Sequence, residues 1–373
     1  MALTKVDQTM VSDQVFGRRN MFLNGKMQVA QRGTSATGAT SSDYYTVDRW
    51  QFIAFSAGTW TVSQSTTVPS GEGFAYSHKF DCTTADASLG ASDYLILGQK
   101  IEGINLQHLK YGTSSAEKLT LSFWVRSAKT GTYCIEYRNA NSGGTRTQSQ
   151  SYTISAADTW EKKTITIDGD TATAFDNTTN SELEIYFWLA AGSNFTSGTL
   201  ATSWASDTTA NRAVGQVNLA DSTSNDWYVT GIQLEVGDNA TPFEHLSYGE
   251  ELALCHRYCF AACPAGEAGS GASNVQIGIG SFYTDTQIET VVHFPTTMRS
   301  SPTLSVNSGT NYFISETNAG VQGFNSWTGV YGAGKSQKLI YSSGTVSDFG
   351  NQGMATRLAV QNSAAYVIFE AEI

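Results

Sequence analysis

Apolar and polar residues alternate with a period of two through much of this chain. In Leu119–Ser127 the apolar positions are Leu119, Leu121, Phe123 and Val125, and Ser122, Trp124 and Arg126 occupy the other face. Segment 183–189 repeats the pattern, with Leu183, Ile185, Phe187 and Leu189 opposite Glu184, Tyr186 and Trp188. Ile135 and Tyr137 oppose Glu136 and Arg138, and Ile165 and Ile167 oppose Thr164 and Thr166. Successive side chains of an extended strand point to opposite faces, so each segment predicts a strand with one dry side. A further strand is expected over Asp226–Val236, with Tyr228, Ile232, Leu234 and Val236 on the dry face and Gly231, Gln233 and Glu235 opposite. Another is expected at 21–33, running into a Gly/Ser/Thr loop.

The period changes after Pro242. Ser247 and Glu250 form a capping-box pair ahead of an apolar run, which predicts a helix over about 248–263. Leu252, Cys255, Cys259 and Cys263 would share one broad face of it, with Tyr248 close by. Pro264 and the following Ala-Gly-Glu-Ala-Gly-Ser-Gly-Ala mark a flexible boundary. Strand-like text resumes at 275–283, 288–295, Thr303–Val306 and 364–373. Short strands at this density without long helices predict an all-β chain built from sandwiches. The expected organisation is an N-terminal arm over 1–20, a β-sandwich over 21–247, a helical connector over 248–264 and a second, smaller β-sandwich over 265–373.

Composition agrees with many turns and hydroxyl-rich strands, because only 15% of residues are charged while 35 are glycine. The formal net charge of −11 argues against a nucleic-acid partner, whose phosphates need clustered Lys and Arg. No run approaches the roughly 18 apolar residues of a membrane span. The first residues lack the pattern of a signal peptide, so the chain is expected to be made and kept in a cytosol. None of the five histidines stands in a catalytic or metal-binding motif, and the reading is a non-enzyme without cofactor. Cys255, Cys259 and Cys263 read as buried thiols rather than metal ligands, since His256 lies off their helical face. Asp168-Gly-Asp170 has oxygens that suit a structural calcium, although an ordinary turn explains it better.

Leu3, Val6, Val11, Val15 and Phe16 give the arm enough apolar surface to dock but too little to fold alone. This predicts a segment that anchors the protein to a larger particle, against the simpler reading of a frayed terminus. On the polar strand faces, Trp124, Tyr186 and Trp188 accompany Arg126, Glu136, Arg138 and Glu184. Flat rings for a pyranose face and charged groups for paired hydroxyls are what glycan recognition requires. The competing reading places the same aromatics under a loop, on the second sheet or against another subunit.

The run Arg19-Asn-Met-Phe-Leu-Asn-Gly-Lys-Met-Gln-Val-Ala-Gln-Arg-Gly33 and Tyr45-Thr-Val-Asp-Arg-Trp50 resemble the opening of a family of bacteriophage virion proteins. The agreement continues through Ile101-Glu-Gly-Ile-Asn-Leu-Gln-His108, Leu119-Thr-Leu-Ser-Phe-Trp-Val-Arg126 and Ala157-Asp-Thr-Trp-Glu-Lys-Lys-Thr-Ile-Thr-Ile167. It covers roughly 17–260 and is thinner beyond, where Phe294-Pro-Thr-Thr-Met-Arg-Ser-Ser-Pro302 resembles a strand of phage fibre tips. The succession of Phe123-Trp-Val, Trp160-Glu-Lys and Ile232-Gln-Leu-Glu also resembles jelly-roll carbohydrate-binding modules. These resemblances imply a jelly-roll first domain and a virion structural protein of tail-fibre or appendage type, assembled in the host bacterial cytoplasm. They also imply a homotrimer contacting other virion proteins; the family resemblance assigns no ligand, and a host-surface polysaccharide is expected from the jelly-roll resemblance together with the aromatic polar faces and the terminal β-domain. A capsid decoration or cement protein is the alternative.

Overall fold

A computed structural model describes residues 18–268, 274–331, 334–343 and 351–373. The anchoring residues Leu3, Val6, Val11, Val15 and Phe16 lie outside the described residues, as does the second half, 269–272, of the Gly/Ala run after Pro264.

The chain folds as a jelly-roll-like, all-β structure. One six-stranded antiparallel sheet contains β1 (Ser35–Ala39), β3 (Thr59–Ser65), β4 (Ser77–Thr84), β12 (Asp226–Val236), β6 (Leu119–Ser127) and β9 (Glu161–Ile167), in that order. The facing sheet is ordered β11 (Ala205–Ser206), β8 (Arg146–Ile154), β7 (Gly131–Asn139), β10 (Ser181–Ala191), β5 (Tyr94–Glu102) and β2 (Gln51–Phe55). The alternating segments place their apolar faces between the sheets. Leu119, Leu121, Phe123 and Val125 meet Leu183, Ile185, Phe187 and Leu189 in one buried cluster. Phe123 and Phe187 join edge to face across the two sheets at 5.2 Å. Burying each such side chain stabilises the fold by about 1.5–3 kcal/mol before ordering entropy.

Two local expectations are corrected. In β12 the core residues are Trp227, Val229, Ile232 and Leu234, while Tyr228 packs outside against Trp160. A register shift between Thr230 and Gln233 inserts an extra residue, so the alternation changes phase midway. Gly231 sits there at φ +61°, and a Cβ on it would come within 2.5 Å of the Phe74 ring. The strand expected at 21–33 is instead an irregular plug. Asn24 and Met27 adopt positive φ, and the Asn24 amide donates to the carbonyls of Val29 and Asp48. Asn20 ties the plug to β12 through the Ile232 carbonyl and the Leu234 amide.

The capped helix also ends early. It covers Tyr248–Cys255, with both halves of the Ser247/Glu250 box formed. Cys259–Cys263 then continues as β13, paired with β22 (Val367–Glu370), so the three cysteines do not share a helix face. The apolar run fits either period, and pairing of Phe260 with Phe369 settles it as strand. All three thiols are buried and free. The strand expected over 364–373 is likewise limited to those four residues of β22.

Beyond the helix, β13, β22 and β16 (Thr303–Val306) form a three-stranded sheet. A seven-stranded sheet runs β18 (Gly320–Phe324), β17 (Phe313–Thr317), β21 (Ala355–Val360), β14 (Val275–Thr284), β15 (Gln287–His293), β20 (Gln337–Ser343) and β19 (Ser326–Tyr331). Phe282, Ile288, Phe313, Trp327 and Phe369 lie in its separate core.

Charged contacts tie these strands to the first sandwich. Glu372 pairs with Arg49 and, at 3.1 Å, with Arg32. Arg257 makes a two-pronged contact with Glu102 at 2.6 and 2.7 Å, and Tyr258 donates to the same carboxylate at 2.5 Å. Burial alone would raise the Glu102 pKa, but these donors hold it below the usual range.

Candidate functional site

The seven residues read as a glycan platform do not form one surface. Trp124 and Arg126 stand on the outer face of β6, opposite Lys162 of β9 and Tyr228 of β12, respectively. Arg126 caps the Tyr228 ring at 4.8 Å and binds Asp158 at 2.7 Å. Glu136, Arg138, Glu184, Tyr186 and Trp188 belong to β7 and β10 of the other sheet. Because β6 and β7 lie in different sheets with the core between them, their outer faces look in opposite directions. The platform is therefore split into two unconnected parts.

Part of the β7–β10 face is a second, small core. Segment 192–217 folds across it and packs Phe195, Leu200 and Ala213 onto Cys134, Tyr186, Trp188 and Ile96. Trp188 and Glu136 are fully buried. The indole Nε1 donates to Glu136 Oε2 at 3.1 Å, and Arg212 Nε donates to Oε1 at 2.8 Å. The Arg212 guanidinium also lies 5.2 Å from the Trp188 ring. Burial raises the Glu136 pKa, although Arg212 and Trp188 pull it down. Burial would likewise lower the Arg212 pKa, but the adjacent Glu136 raises it. These three residues fix the covering segment, and a sugar cannot reach Trp188 while that segment is in place.

Arg138 lies beyond this cover and is partly exposed, while the neighbouring Glu184 and Tyr186 are buried. The Tyr186 hydroxyl donates to Glu184 Oε2 at 2.7 Å, and Arg138 Nη1 donates to the same oxygen at 3.2 Å. Burial and the nearby Glu184 charge push the Tyr186 hydroxyl well above its ordinary pKa, so it remains a donor. Its ring lies over Gly98 of β5, where a Cβ would meet the ring at 2.7 Å. Asp207 approaches Arg138 at 3.6 Å, and both Arg138 Nε and Asp207 Oδ1 lack a hydrogen-bond partner. Both atoms are themselves buried, and unpaired buried polar atoms are uncommon.

The same sheet face carries aromatics that the alternation did not single out. Phe55 of β2 is 53% exposed and pairs in register with Tyr94 of β5. Their rings stack at 6.2 Å with 29° between planes. From Tyr94 to Lys100, which is paired with Glu184, the strand advances six residues, or about 20 Å. The strip thus has the exposed Phe55 stacked on half-buried Tyr94 at one end, half-buried Gln51 beside buried Tyr186 midway, and half-buried Arg138 and Asp207 around buried Glu184 near the other. Phe55 was hidden because both faces of Gln51–Phe55 carry apolar residues, and Asp207 because its loop has no period.

The Asp168-Gly-Asp170 turn uses its carboxylates separately. Asp170 is buried against Arg146 at 3.0 Å, whereas Asp168 is exposed and pairs with Lys118 at 2.9 Å. Among the described residues no group of three or more His, Cys, Asp or Glu side chains is placed to hold a metal ion.

No protein-family model matches the chain, and no curated protein matches it in sequence. Similar solved structures include the enzymatically active domain of bacteriophage CBA120 tailspike protein 4, at 11% identity and a TM-score of 0.32. That match covers 58% of this chain but only 21% of the tailspike chain. A putative sugar binding protein from Bacteroides thetaiotaomicron matches at 13% identity and a TM-score of 0.32, covering 59% of this chain and all of the other. The module TmCBM61 in complex with β-1,4-galactotriose matches at 12% identity and a TM-score of 0.28, covering 59% of this chain and 100% of its own. Likenesses this loose carry no functional argument, which rests on the residues described above.

Proposed function

We propose that this protein is a phage virion appendage protein that holds a host-surface glycan along the outer face of the β8–β7–β10–β5–β2 sheet. The observation that carries the reading is the open strip from Phe55 and Tyr94 to Arg138, Glu184 and Asp207. It pairs a ring stack whose Phe55 is exposed with the partly exposed Arg138 and Asp207 side chains. Rings cover the apolar face of a pyranose, and an oriented guanidinium and carboxylate pair with hydroxyls. Glu136 and Glu184 are held by arginines, an arrangement that suits positioning more than proton transfer. The resemblance of 17–260 to phage virion proteins supports the location. Phage carrying Phe55→Ala with Arg138→Ala should form intact particles that adsorb poorly to host cells. Normal adsorption by those particles would overturn the reading.

A decoration or cement role has one observation in its favour. The outer face of the seven-stranded sheet exposes Ile279 (78%), Tyr283 (52%) and Val291 (42%), surface that an adjacent virion subunit would cover. Copy number separates the two: hundreds per particle support decoration, and a few dozen or fewer support an appendage.

A further inference from the structure

We propose a second, separate carbohydrate site in a cleft of about 450 Å³ at the end of the first sandwich, selective for a neutral saccharide. Its size falls within the roughly 300–1,000 Å³ typical of small-ligand clefts. The cleft opens between the turn after β9, the segment leading into β6, and the Ser203–Trp204 segment before β11. It does not use the Phe55–Asp207 strip, because Asn139 and Arg146 turn to Asp170 at the cleft while the adjacent Arg138 turns the other way to Asp207.

Its parts are rigid before any ligand arrives. The half-buried Trp204 indole donates from Nε1 to the Asp168 carbonyl at 2.7 Å and packs edge to face on Tyr111 at 5.9 Å. Arg146 is fixed on two sides, with Nε on both Asp170 oxygens at 3.0 Å and Nη2 on the Trp204 carbonyl at 3.0 Å. The rim is polar and exposed, with the Asp168 carboxylate, Lys118 ammonium and hydroxyls of Thr171 and Ser203.

Charge selects the ligand class. Arg146 is compensated by Asp170, and Lys118 by Asp168, so the cleft has no net charge to attract a phosphate or a uronate. A braced indole beside alternating donors and acceptors matches the apolar face and hydroxyl edge of a neutral pyranose. The exposed Asp168–Lys118 pair is weak on its own, and its exchange for sugar hydroxyls costs little.

The test titrates the full chain with methyl glycosides of glucose, galactose, mannose and N-acetylglucosamine, with methyl glucuronide as the charged comparator. Saturation-transfer NMR and calorimetry provide the readout. At least one neutral glycoside should bind with a one-to-one stoichiometry. Trp204→Ala and Asp168→Ala should each weaken it at least about tenfold, equivalent to 1.4 kcal/mol. Asp168 and Thr171 are exposed, so Asp168→Ala and Thr171→Ala keep the test valid if Trp204→Ala fails to fold. Binding of none of the neutral glycosides, stronger binding of the glucuronide, or wild-type affinity in both exposed-residue variants would overturn the proposal. A failed polysaccharide test with Phe55→Ala concerns the sheet face and leaves this result standing.

Discussion

Trp188→Ala separates the two readings of the outer-facing aromatics by size of effect. The side chain is fully buried, touches Phe195 at a ring distance of 5.2 Å, and donates to the buried Glu136. Truncating a buried tryptophan costs about 3–5 kcal/mol. Losing a hydrogen bond to a charged group costs about 1.5–3 kcal/mol, in part the same energy. A net loss of about 3–5 kcal/mol is therefore expected. For a unit of this size each 1 kcal/mol lowers Tm by about 2–4 °C, so calorimetry should show a fall on the order of 10 °C. Trp188→Phe retains most packing and deletes only the Nε1 contact, so its loss should be about 1–3 kcal/mol. An exposed platform residue would change stability by no more than about 0.5 kcal/mol. A Trp188→Ala protein melting within about 2 °C of the parent would refute the covered arrangement.

Burial depresses the His78 pKa from 6.5 to about 3, so the unfolded chain gains a proton first as pH falls. Its contribution is present above about pH 6.5 and declines between there and about pH 3, by up to about 1.4 kcal/mol per unit. Denaturant titrations of His78→Leu should show a shallower acid slope than the parent, and identical slopes would contradict this. Glu372→Ala leaves the buried Arg49 without its carboxylate partner, while Arg32 keeps Glu370 and Asp48, and should cost about 3–5 kcal/mol in urea unfolding; a loss under about 1 kcal/mol would show that the clamp is unimportant. The proposed trimer should scatter light at about three times the 40.1 kDa chain mass, and a monomer at micromolar concentration would reject it.

The strands legible from sequence were those whose buried face is apolar at every second residue, such as Leu119 to Val125 and Leu183 to Leu189. Local period identifies such faces because the burial itself imposes it. Tyr228 was assigned to the wrong side because alternation carries no mark of an inserted residue. Gly231 was the only local hint, and its role depends on the distant Phe74 ring. The helix start was legible in Ser247 and Glu250, since a cap is a local contact, whereas its end depended on the pairing of Cys259–Cys263 with β22. At the candidate site, sequence correctly pointed Trp124, Tyr186 and Trp188 away from the main core. It did not show that Trp124 belongs to the other sheet or that segment 192–217 covers Trp188. Both are long-range facts, as are the approach of Asp207 to Arg138 and the stacking of Phe55 on Tyr94.

The central claim is that glycan lies on the face bearing Phe55 and Arg138, and calorimetric titration with polysaccharide fragments from the host surface tests it most directly. The parent protein should bind, Phe55→Ala and Arg138→Ala should each weaken binding at least about tenfold, and Trp124→Ala on the opposite sheet should bind as the parent does. Loss of binding in Trp124→Ala with full affinity in the other two variants, or no binding by the parent, would contradict the account.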